Sequence, residues 1–318
     1  MKILIFGAGA VGSVVGGFLA RTGHSVSLLG RPWHLDVIEK QGLLITGIWG
    51  DYRIKAFELY RGVEDFRKKD TSFDLIILTV KSYDTENSVK ELLPMMTEKT
   101  MLLSLQNGLG NIETILATGI RPESFLAGRV IFGADVAPGV VKVTVNADSV
   151  RIGGLPGVTT KAGAFEIARV FNAAKIPAEA VPDIVTVLWA KAIYNCALNA
   201  ICSLHEIPYG KILESEETRH AMERVIRECY EVALKKRMTL APSSADAFID
   251  LMVQKLIPST AAHFPSMLRD LQRGKRTEID SLNGAIYRYG RELGVPTPEN
   301  ESLVNQLKLA HEKFAKNF

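Results

Sequence analysis

The chain has 318 residues, which is enough for about two compact domains that each bury a core of their own. Hydrophobic residues make up 47% and charged residues 23% of the sequence, close to the globular average, which argues against wholesale disorder and against a membrane bundle. The net charge of +3 at pH 7 is too small to indicate nucleic acid as a main partner.

Two further features bear on location. The three cysteines, Cys196, Cys202 and Cys229, fit no metal-ligand spacing, and their odd number predicts buried thiols in a reducing compartment. The apolar N-terminus is too rich in glycine for a secretory signal, and no later stretch has about 20 uninterrupted apolar residues. We therefore expect a cytoplasmic protein with no membrane partner.

The first 30 residues predict a strand, a turn, a helix and a second strand. Residues 3–6 form a short β-branched run, a glycine-rich turn follows, residues 10–22 have a helical pattern, and residues 26–29 predict the next strand. Later strands are predicted at 75–80, 101–105 and 125–132, with helices between them at 87–93 and 112–117. This alternation predicts an α/β fold with a Rossmann-type doubly wound parallel sheet covered by helices.

Four more segments, 43–45, 52–57, 140–145 and 149–152, also have strand patterns. We expect them to extend or edge the same sheet. The last two are predicted to form a hairpin through the turn at 146–148.

The character of the sequence changes after Pro182. From there to the C-terminus we predict no strand, and helices are expected at 183–203, 208–213, 217–237, 244–257, 278–293 and 299–316. The sequence therefore predicts a Rossmann-type domain over 1–182 and an all-helical domain over 183–318. The helical domain offers surface for a homodimer.

The turn after the first strand has the pattern GxGxxG, as Gly7-Ala8-Gly9-Ala10-Val11-Gly12. The first glycine permits the tight turn, the second lets the backbone approach a pyrophosphate, and the third lets the helix pack closely on the sheet. The helix N-terminus adds N–H donors and partial positive charge. We interpret these six residues as a dinucleotide site; the alternative is a glycine-rich helix packing on a sheet.

The end of the second strand bears on the choice of dinucleotide. NAD enzymes usually place an acid there to hold the ribose hydroxyls, but this strand is followed by Arg31, and the first acid is Asp36. A guanidinium binds a 2′-phosphate well, so NADP is favoured over NAD. Lys81 follows another predicted strand end and could add positive charge. The alternative for both cations is an exposed position in solvent.

A helix starting near residue 183 is apolar almost all round, yet Lys191, Asn195 and Asn199 recur along it at a spacing of four. At about 100° per residue these side chains form one narrow polar stripe. Burying them without partners would cost several kcal/mol, so the stripe must face a ligand cleft, other polar side chains or solvent. A lysine in a partly desolvated cleft is suited to donate a proton, since burial makes an ammonium more acidic.

A second polar cluster consists of Ser266 and the segment Thr277-Glu278-Ile279-Asp280. Thr277 and Asp280 resemble an N-cap pair, which predicts a structural role for Asp280. Glu278 could share that role or belong to a site, and the pattern does not separate the two.

Taken together, these residues resemble ketopantoate reductases (2-dehydropantoate 2-reductases), and the resemblance spans essentially the whole chain. The matching motifs are Gly7 to Gly12, Thr79-Val80-Lys81, Gln106-Asn107-Gly108-Leu109-Gly110, and Leu188-Trp189-Ala190-Lys191 with Asn199, Ser266-Met267-Leu268 and Glu278-Ile279-Asp280. The last set is the specific one, because Rossmann enzymes in general lack it. The resemblance implies an NADPH-dependent reduction of a branched 2-keto acid to its 2-hydroxy acid, for pantothenate and coenzyme A biosynthesis. It also implies that domain 1–182 binds NADP and that domain 183–318 is the substrate and catalytic domain.

The resemblance also implies a role for each residue. Lys191 corresponds to the general acid, and Glu278 to the acid that organises this lysine and the substrate hydroxyl. Asn107 corresponds to a residue between nicotinamide and substrate, and Arg31 and Lys81 to residues at the adenosine end of NADPH. Asn107 and Glu278 are thereby also expected to contribute to cofactor binding. The residues implied to hold the substrate are Asn195, Asn199 and Ser266.

Three alternatives remain open at this point. The protein could reduce a different 2-keto acid on the same fold, or act on a 3-hydroxy acid or a sugar acid. It could also be a non-catalytic NADP(H) sensor, although a sensor has no need for proton-transfer groups such as Lys191. No metal site is expected, and the expected small-molecule partner is a 2-keto acid.

Overall fold

The computed structural model describes residues 1–67, 72–158 and 161–315. It divides into two compact units. Unit 1 comprises Met1–Gln106 and Asn111–Val185, and unit 2 comprises Asn107–Gly110 and Thr186–Phe318. The short segment Asn107–Gly110 thus belongs to unit 2, although the chain on both sides of it belongs to unit 1. The assignment of cofactor and substrate roles to domains 1–182 and 183–318 stays a prediction.

All strands in the described residues lie in unit 1 and form two sheets. They are β1 (Lys2–Phe6), β2 (Ser25–Leu29), β3 (Leu43–Gly47), β4 (Tyr52–Ile54), β5 (Glu58–Tyr60), β6 (Leu75–Leu78), β7 (Met101–Ser104), β8 (Phe125–Arg129), β9 (Phe132–Ala137), β10 (Val140–Asn146), β11 (Val150–Gly153) and β12 (Ala178–Ala180).

The larger sheet has the strand order β12-β11-β8-β7-β6-β1-β2-β5. Strands from β5 to β8 are parallel, whereas β11 runs antiparallel to β8. After β1 the chain adds β2 on one side of it and β6 on the other, so the direction of winding reverses at β1. In open parallel sheets, ligands bind at the carboxyl ends of the strands beside such a reversal. The predicted doubly wound parallel sheet is confirmed.

The helices of unit 1 in the described residues are α1 (Ala10–Ala20), α2 (Pro32–Gln41), α3 (Glu64–Arg67), α4 (Thr85–Leu92), α5 (Asn111–Ala117) and α6 (Lys161–Ala173). Helix α1 contacts β1 and β2 of the larger sheet and also β3, β9 and β10 of the smaller one. A Cβ on Gly16 would collide with Leu28 and Ile5, and one on Gly17 would collide with Ile45. Glycines on both sides of α1 therefore allow two sheets to pack against the same helix.

The smaller sheet corrects two predictions. Its order is β4-β3-β10-β9, so these strands do not extend the larger sheet. The hairpin predicted through 146–148 is also wrong, because β10 pairs with β3 and β9 whereas β11 pairs with β8 and β12. The short turn carries the chain from one sheet to the other. Local turn residues indicate that a strand ends, but pairing partners depend on distant segments.

Unit 2 is helical in its described residues, as predicted. Its helices are α7 (Ile184–Leu204, beginning in the last residues of unit 1), α8 (Glu216–Lys235), α9 (Ala245–Leu251), α10 (Ile257–Ser259), α11 (Ser266–Gln272), α12 (Asn283–Leu293) and α13 (Pro298–Ala315). Helix α11 was not predicted from the sequence. The predicted helix 244–257 is interrupted by a π-helical stretch at Met252–Leu256, and the first turn of the predicted helix 278–293 is a separate 3₁₀ turn, Ile279–Ser281.

Helix α7 has 21 residues, and many of its apolar side chains, such as those of Ile193 and Leu198, are fully buried. It alone among the described helices is long and apolar enough to span a membrane, but 56% of its apolar 18-residue window is buried within the fold. This is weak evidence for a membrane span, because the core helix of a soluble protein has the same composition. All three cysteines are buried free thiols.

A buried polar network joins α7 to the C-terminal helices. Asn283, fully buried, donates from Nδ2 to the backbone oxygen of Cys196 on α7 (3.1 Å) and to Asn300 Oδ1 on α13 (3.0 Å). Glu228 on α8 accepts from the backbone N–H groups of Glu299 (2.7 Å) and Asn300 (3.0 Å). These bonds satisfy N–H groups at the start of α13 that have no partner within the helix. The network fixes the position of the helix that carries the polar stripe.

Candidate active site

The glycine turn directly follows β1 and opens α1. Gly7 has φ +110°, and its N–H and that of Ala8 both donate to Leu29 O at the end of β2. A Cβ on Gly12 would collide with the backbone oxygen of Gly7, whereas one on Gly9 would meet only that same atom, at 4.0 Å. Thr79 Oγ1 also donates to Gly7 O (2.7 Å). Hydrogen bonds to Leu29 and Thr79 therefore hold the turn, while the space beside Gly9 is open. This arrangement fits a pyrophosphate that approaches the N-terminus of α1.

Arg31 is the exposed N-cap residue of α2, one residue beyond Gly30 at the end of β2. Its side chain makes no hydrogen bond or ion pair with any residue in the described ranges. Asp36, by contrast, is paired with Arg61 (2.8 Å), which also reaches Glu39 (2.7 Å). The first acid after β2 is therefore already neutralised by a cation that the sequence reading did not single out. The Arg31 guanidinium is therefore available to bind an anionic ligand group at the end of β2.

His34 anchors the first turn of α2. It is fully buried, its Nδ1 accepts from the backbone N–H of Gly139 (3.0 Å), and its Nε2 lies 3.0 Å from Ser13 Oγ on α1. With its proton on Nε2 the ring accepts from Gly139 and donates to Ser13 Oγ, whereas with its proton on Nδ1 it donates to Ala137 O (3.1 Å). Burial lowers the pKa of His34, and the nearby Ala137 carbonyl offsets only part of that shift. Nothing in the sequence pattern distinguished this residue.

Two residues of the matching sequence motifs, Lys81 and Gln106, follow the next strands of the larger sheet. Lys81, half-buried, is the N-cap residue of the 3₁₀ turn Ser82–Asp84, at the carboxyl end of β6. Gln106, which follows β7, donates from Nε2 to Val80 O (3.0 Å) and to Thr85 Oγ1 (2.7 Å). Gln106 thus fixes the spacing of two strand ends just before the chain passes into unit 2.

Within unit 2, the structure brings Lys191 and Asn107 together. Lys191 Nζ donates to Asn107 Oδ1 at 2.5 Å, and both side chains are half-buried. The segment Asn107–Gly110 is held by the bond from Leu109 N to Ser281 O (2.7 Å), and Gly108, at φ +85°, fits against Ser281 where a Cβ would collide. The sequence alone could not show this pairing, because 84 residues separate the two partners.

The other stripe residues have different surroundings. Asn199 is 7% exposed and its Oδ1 accepts from Tyr209 Oη (2.5 Å). Asn195, half-buried, lies one helical turn from each of the other two stripe residues and makes no side-chain hydrogen bond to the described residues. Asn199 is therefore not a solvent-exposed residue, which rules out the solvent alternative at this position. Polar side chains such as Tyr209 satisfy part of the hydrogen-bonding capacity of the stripe.

Glu278 and Ser266 lie on separate elements of unit 2. Glu278 is 9% exposed, and its backbone oxygen accepts from Ser281 Oγ (3.0 Å), next to the contact that holds Leu109. Ser266 is the exposed first residue of α11 and makes no side-chain hydrogen bond to the residues described.

Asp280 is structural, as expected, but not as a helix cap. It pairs with Lys308 (2.8 Å) and Arg276 (3.3 Å), while α12 begins only at Asn283. Burial alone would raise the pKa of Asp280, but the Lys308 ammonium and the Arg276 guanidinium hold it below its usual value.

Comparisons with known proteins show the family to which the chain belongs. The family model described as ketopantoate reductase PanE/ApbA matches residues 3–157, and the model of the C-terminal part of that family matches residues 183–311. The chain is 40% identical over 313 residues to the 2-dehydropantoate 2-reductase of Aquifex aeolicus, covering 97% of this chain and 96% of the relative. It is 35% identical to the enzyme of that name from Pyrococcus horikoshii, covering 94% of each chain.

Solved structures give the same result for the fold. A PanE/ApbA family ketopantoate reductase from Ralstonia eutropha superposes with a TM-score of 0.87 at 33% identity, over 99% of each chain. A D-mandelate dehydrogenase, solved with NADH and anilino(oxo)acetate, has a TM-score of 0.88 at 27% identity, also over 99% of each chain. The fold and these relatives define an oxidoreductase that acts on CH–OH groups, of a pyridine-nucleotide-dependent class. The chain belongs to the ketopantoate reductase family.

Proposed function

We propose that the protein reduces 2-dehydropantoate (ketopantoate) to pantoate, with NADPH as the hydride source and Lys191 as the general acid. Relatives with this activity in their names match nearly the full length of the chain, at 40% and 35% identity. The reaction supplies pantoate to pantothenate and coenzyme A biosynthesis.

The observation that carries the mechanism is the hydrogen bond from Lys191 Nζ to Asn107 Oδ1. Reduction adds a hydride to C2 of the keto acid, and negative charge develops on the ketone oxygen. A pre-positioned ammonium stabilises that charge more in the transition state than in the ketone. Lys191 Nζ then transfers its proton to the oxygen to complete the 2-hydroxy acid, and the neutral amine regains a proton from solvent.

The remaining predicted residues complete the proposed site. Glu278 would organise Lys191 and the substrate hydroxyl, and Asn107 would contact both the nicotinamide and the substrate. Asn195, Asn199 and Ser266 bind the substrate, a small-molecule 2-keto acid.

The chain offers a consistent set of groups for NADP. The open backbone at Gly9 and the N-terminus of α1 fit the pyrophosphate, and Arg31, which pairs with no other residue in the described ranges, fits a 2′-phosphate. Lys81 adds positive charge from the end of β6. When bound, the nicotinamide supplies the hydride, while the protein holds both reactants in a fixed orientation. The neutralisation of Asp36 by Arg61 supports NADPH over NADH, because it reduces repulsion of a phosphate near α2.

A second candidate is the reduction of another 2-keto acid by the same residues. It is favoured by the likeness to D-mandelate dehydrogenase, which covers 99% of the chain. The proposed chemistry is the same in both cases, and only the group attached to the keto acid differs. A cytoplasmic location and a homodimer stay predictions.

The test is the loss of reduced-nicotinamide absorbance when the purified protein is mixed with NADPH or NADH and a panel of 2-keto acids that includes ketopantoate, pyruvate and phenylglyoxylate. Rapid NADPH oxidation with ketopantoate alone is expected. Turnover with another acid instead would move the assignment to that substrate. Binding of NADPH without any turnover would overturn the proposal in favour of a sensor.

A further inference from the structure

Asn199 has an asymmetric set of hydrogen-bond partners. Its Oδ1 accepts from the hydroxyl of Tyr209 at 2.5 Å, and its Nδ2 makes no hydrogen bond to any residue that the structure describes. Both residues are buried, with 7% of Asn199 and 5% of Tyr209 exposed. Nδ2 is not one of the fully buried side-chain atoms that lack a partner in the described residues, so it keeps some accessible surface and can donate to a ligand or a solvent molecule.

Tyr209 is itself held in place by its neighbours. It opens the 3₁₀ turn Tyr209–Leu213, and its N–H donates to His263 O (3.0 Å). Its ring packs edge-on against the rings of Tyr194 (centroids 5.9 Å apart) and His263 (5.2 Å). Burial raises the pKa of Tyr209 well above its usual value, so the hydroxyl stays protonated and remains able to donate.

The tyrosine determines which atoms of the amide can reach a ligand. An asparagine side chain carries an acceptor oxygen on one branch and two N–H donors on the other, and its orientation follows its partners. With the oxygen bound to Tyr209, the other branch presents donors only. The opposite orientation would present lone pairs, which repel an anionic substrate.

We propose that Tyr209 is a positioning residue, which fixes the Asn199 amide so that Nδ2 donates to an acceptor oxygen of the anionic 2-keto acid. This inference rests on the proposed function, in which Asn199 binds the substrate. It assigns to the site a donor-only subsite, one helical turn beyond Asn195 on α7.

The first experiment replaces Tyr209 by phenylalanine, which removes the hydroxyl and keeps the ring. The KM for the keto acid is expected to rise about three- to tenfold, as for loss of an oriented hydrogen bond, with kcat and the KM for NADPH close to wild type. The matched control is Tyr194→Phe, which loses a hydroxyl bonded to Thr260 Oγ1 (2.8 Å) in the same aromatic cluster. The control is expected to keep the wild-type KM for the keto acid.

A double-mutant cycle separates positioning from general stability. If Tyr209 acts through Asn199, Tyr209→Phe should add little to the KM defect of Asn199→Ala. Full additivity, or a wild-type KM in Tyr209→Phe, would overturn the inference. Asn199→Asp, which replaces the donor branch by an oxygen, should raise the KM above that of Asn199→Ala, and an equal or lower KM would also overturn it.

If Tyr209→Phe does not fold, the comparison of Asn199→Asp with Asn199→Ala still tests whether the Nδ2 branch donates to the keto acid, and an equal or lower KM in Asn199→Asp overturns the inference. A wild-type protein that reduces no 2-keto acid would overturn the proposed function, and this inference with it. A wild-type protein that is active, combined with an unaffected Tyr209→Phe, would overturn the inference alone.

Discussion

At the scale of single residues, the functional chemistry depends on how polar atoms on α7 are paired. Lys191 is bonded to the Asn107 oxygen, and Asn199 to the Tyr209 hydroxyl. In each pair a side-chain oxygen accepts a hydrogen bond from a neighbour, which fixes the orientation of an amide. Orientation of this kind is what an enzyme needs in order to stabilise charge without reorganising during the reaction.

Lys191→Ala is expected to lower kcat by at least about 100-fold, because it removes the proposed general acid and the positive charge proposed to lie beside the developing alkoxide. Steady-state kinetics with NADPH and the active keto acid measure the effect. Lys235→Ala, at an exposed lysine on α8, is the matched control and should keep wild-type kcat. Near-normal turnover in Lys191→Ala would remove this residue from the mechanism.

The candidate residues on α7 could be found from the sequence because spacing in a helix is regular. Their partners could not be found in this way. Tyr209 and Asn107 lie outside α7 along the chain, and Arg61 approaches Asp36 from a different element. Side-chain pairs that the tertiary fold brings together leave no periodic signal.

At the scale of elements, His34 joins three parts of unit 1. It connects α2 to Ser13 on α1 and to Gly139 in the turn between β9 and β10. The start of α2, which carries Arg31, is therefore fixed relative to the helix that follows the glycine turn. The buried His34 ring therefore aligns the two elements that we propose to bind NADPH, α1 at the pyrophosphate and the start of α2 at the 2′-phosphate.

This anchor predicts a pH dependence of stability. The pKa of His34 is lowered in the folded protein, so the unfolded chain, with a pKa near 6.5, takes up a proton first as the pH falls. The contribution is fully present above pH about 6.5 and is lost as the pH falls toward the folded pKa. The melting temperature should therefore drop between pH 7 and pH 5, and less steeply in His34→Asn.

The pH dependence should be reduced rather than abolished, because burial also lowers the pKa of His263 and His24. Thermal scans at fixed protein concentration measure it. His220→Asn, at an exposed position on α8, should keep the wild-type slope. An equal slope in His34→Asn and wild type would argue against a role for His34.

The sequence predicted most elements but not all their pairings. The inner strands of the larger sheet and the long helices of unit 2 have strong apolar patterns, and their predicted positions agree with the structure to within a few residues. The sequence did not predict the edge strands β5 and β12 or the helices α2 and α6. The smaller sheet could not be foreseen, since β3 and β10 are about 100 residues apart in the chain and their parallel pairing is set by the packing of α1 between the sheets. The break in the helix over 244–257 is likewise a tertiary effect, although Pro258 lies beside it.

At the scale of the whole molecule, a preference for NADPH over NADH should appear as a difference in the thermal stability of the protein with each cofactor. A ligand that binds only the folded state stabilises it by about 2.7 kcal/mol at 100 times its dissociation constant. NADPH is therefore expected to raise the melting temperature more than NADH at equal concentration. In Arg31→Ala the NADPH shift should fall to the level of NADH, because the variant lacks the guanidinium proposed to bind the 2′-phosphate.

The control for this measurement is Arg169→Ala, at an exposed arginine on α6 in the same unit. It should leave both shifts as in wild type. Equal loss of the NADPH and NADH shifts in Arg31→Ala would contradict the assignment of the 2′-phosphate to this residue.

The excursion of Asn107–Gly110 into unit 2 has a consequence for how this chain can be divided. A fragment that starts at residue 183 would carry Lys191 but leave behind the amide that accepts its hydrogen bond. It would also lack Leu109, whose backbone N–H bonds to Ser281. No single cut in the gene therefore yields both units whole. A chimera that joins unit 2 to the first unit of another protein must also carry the segment Asn107–Gly110.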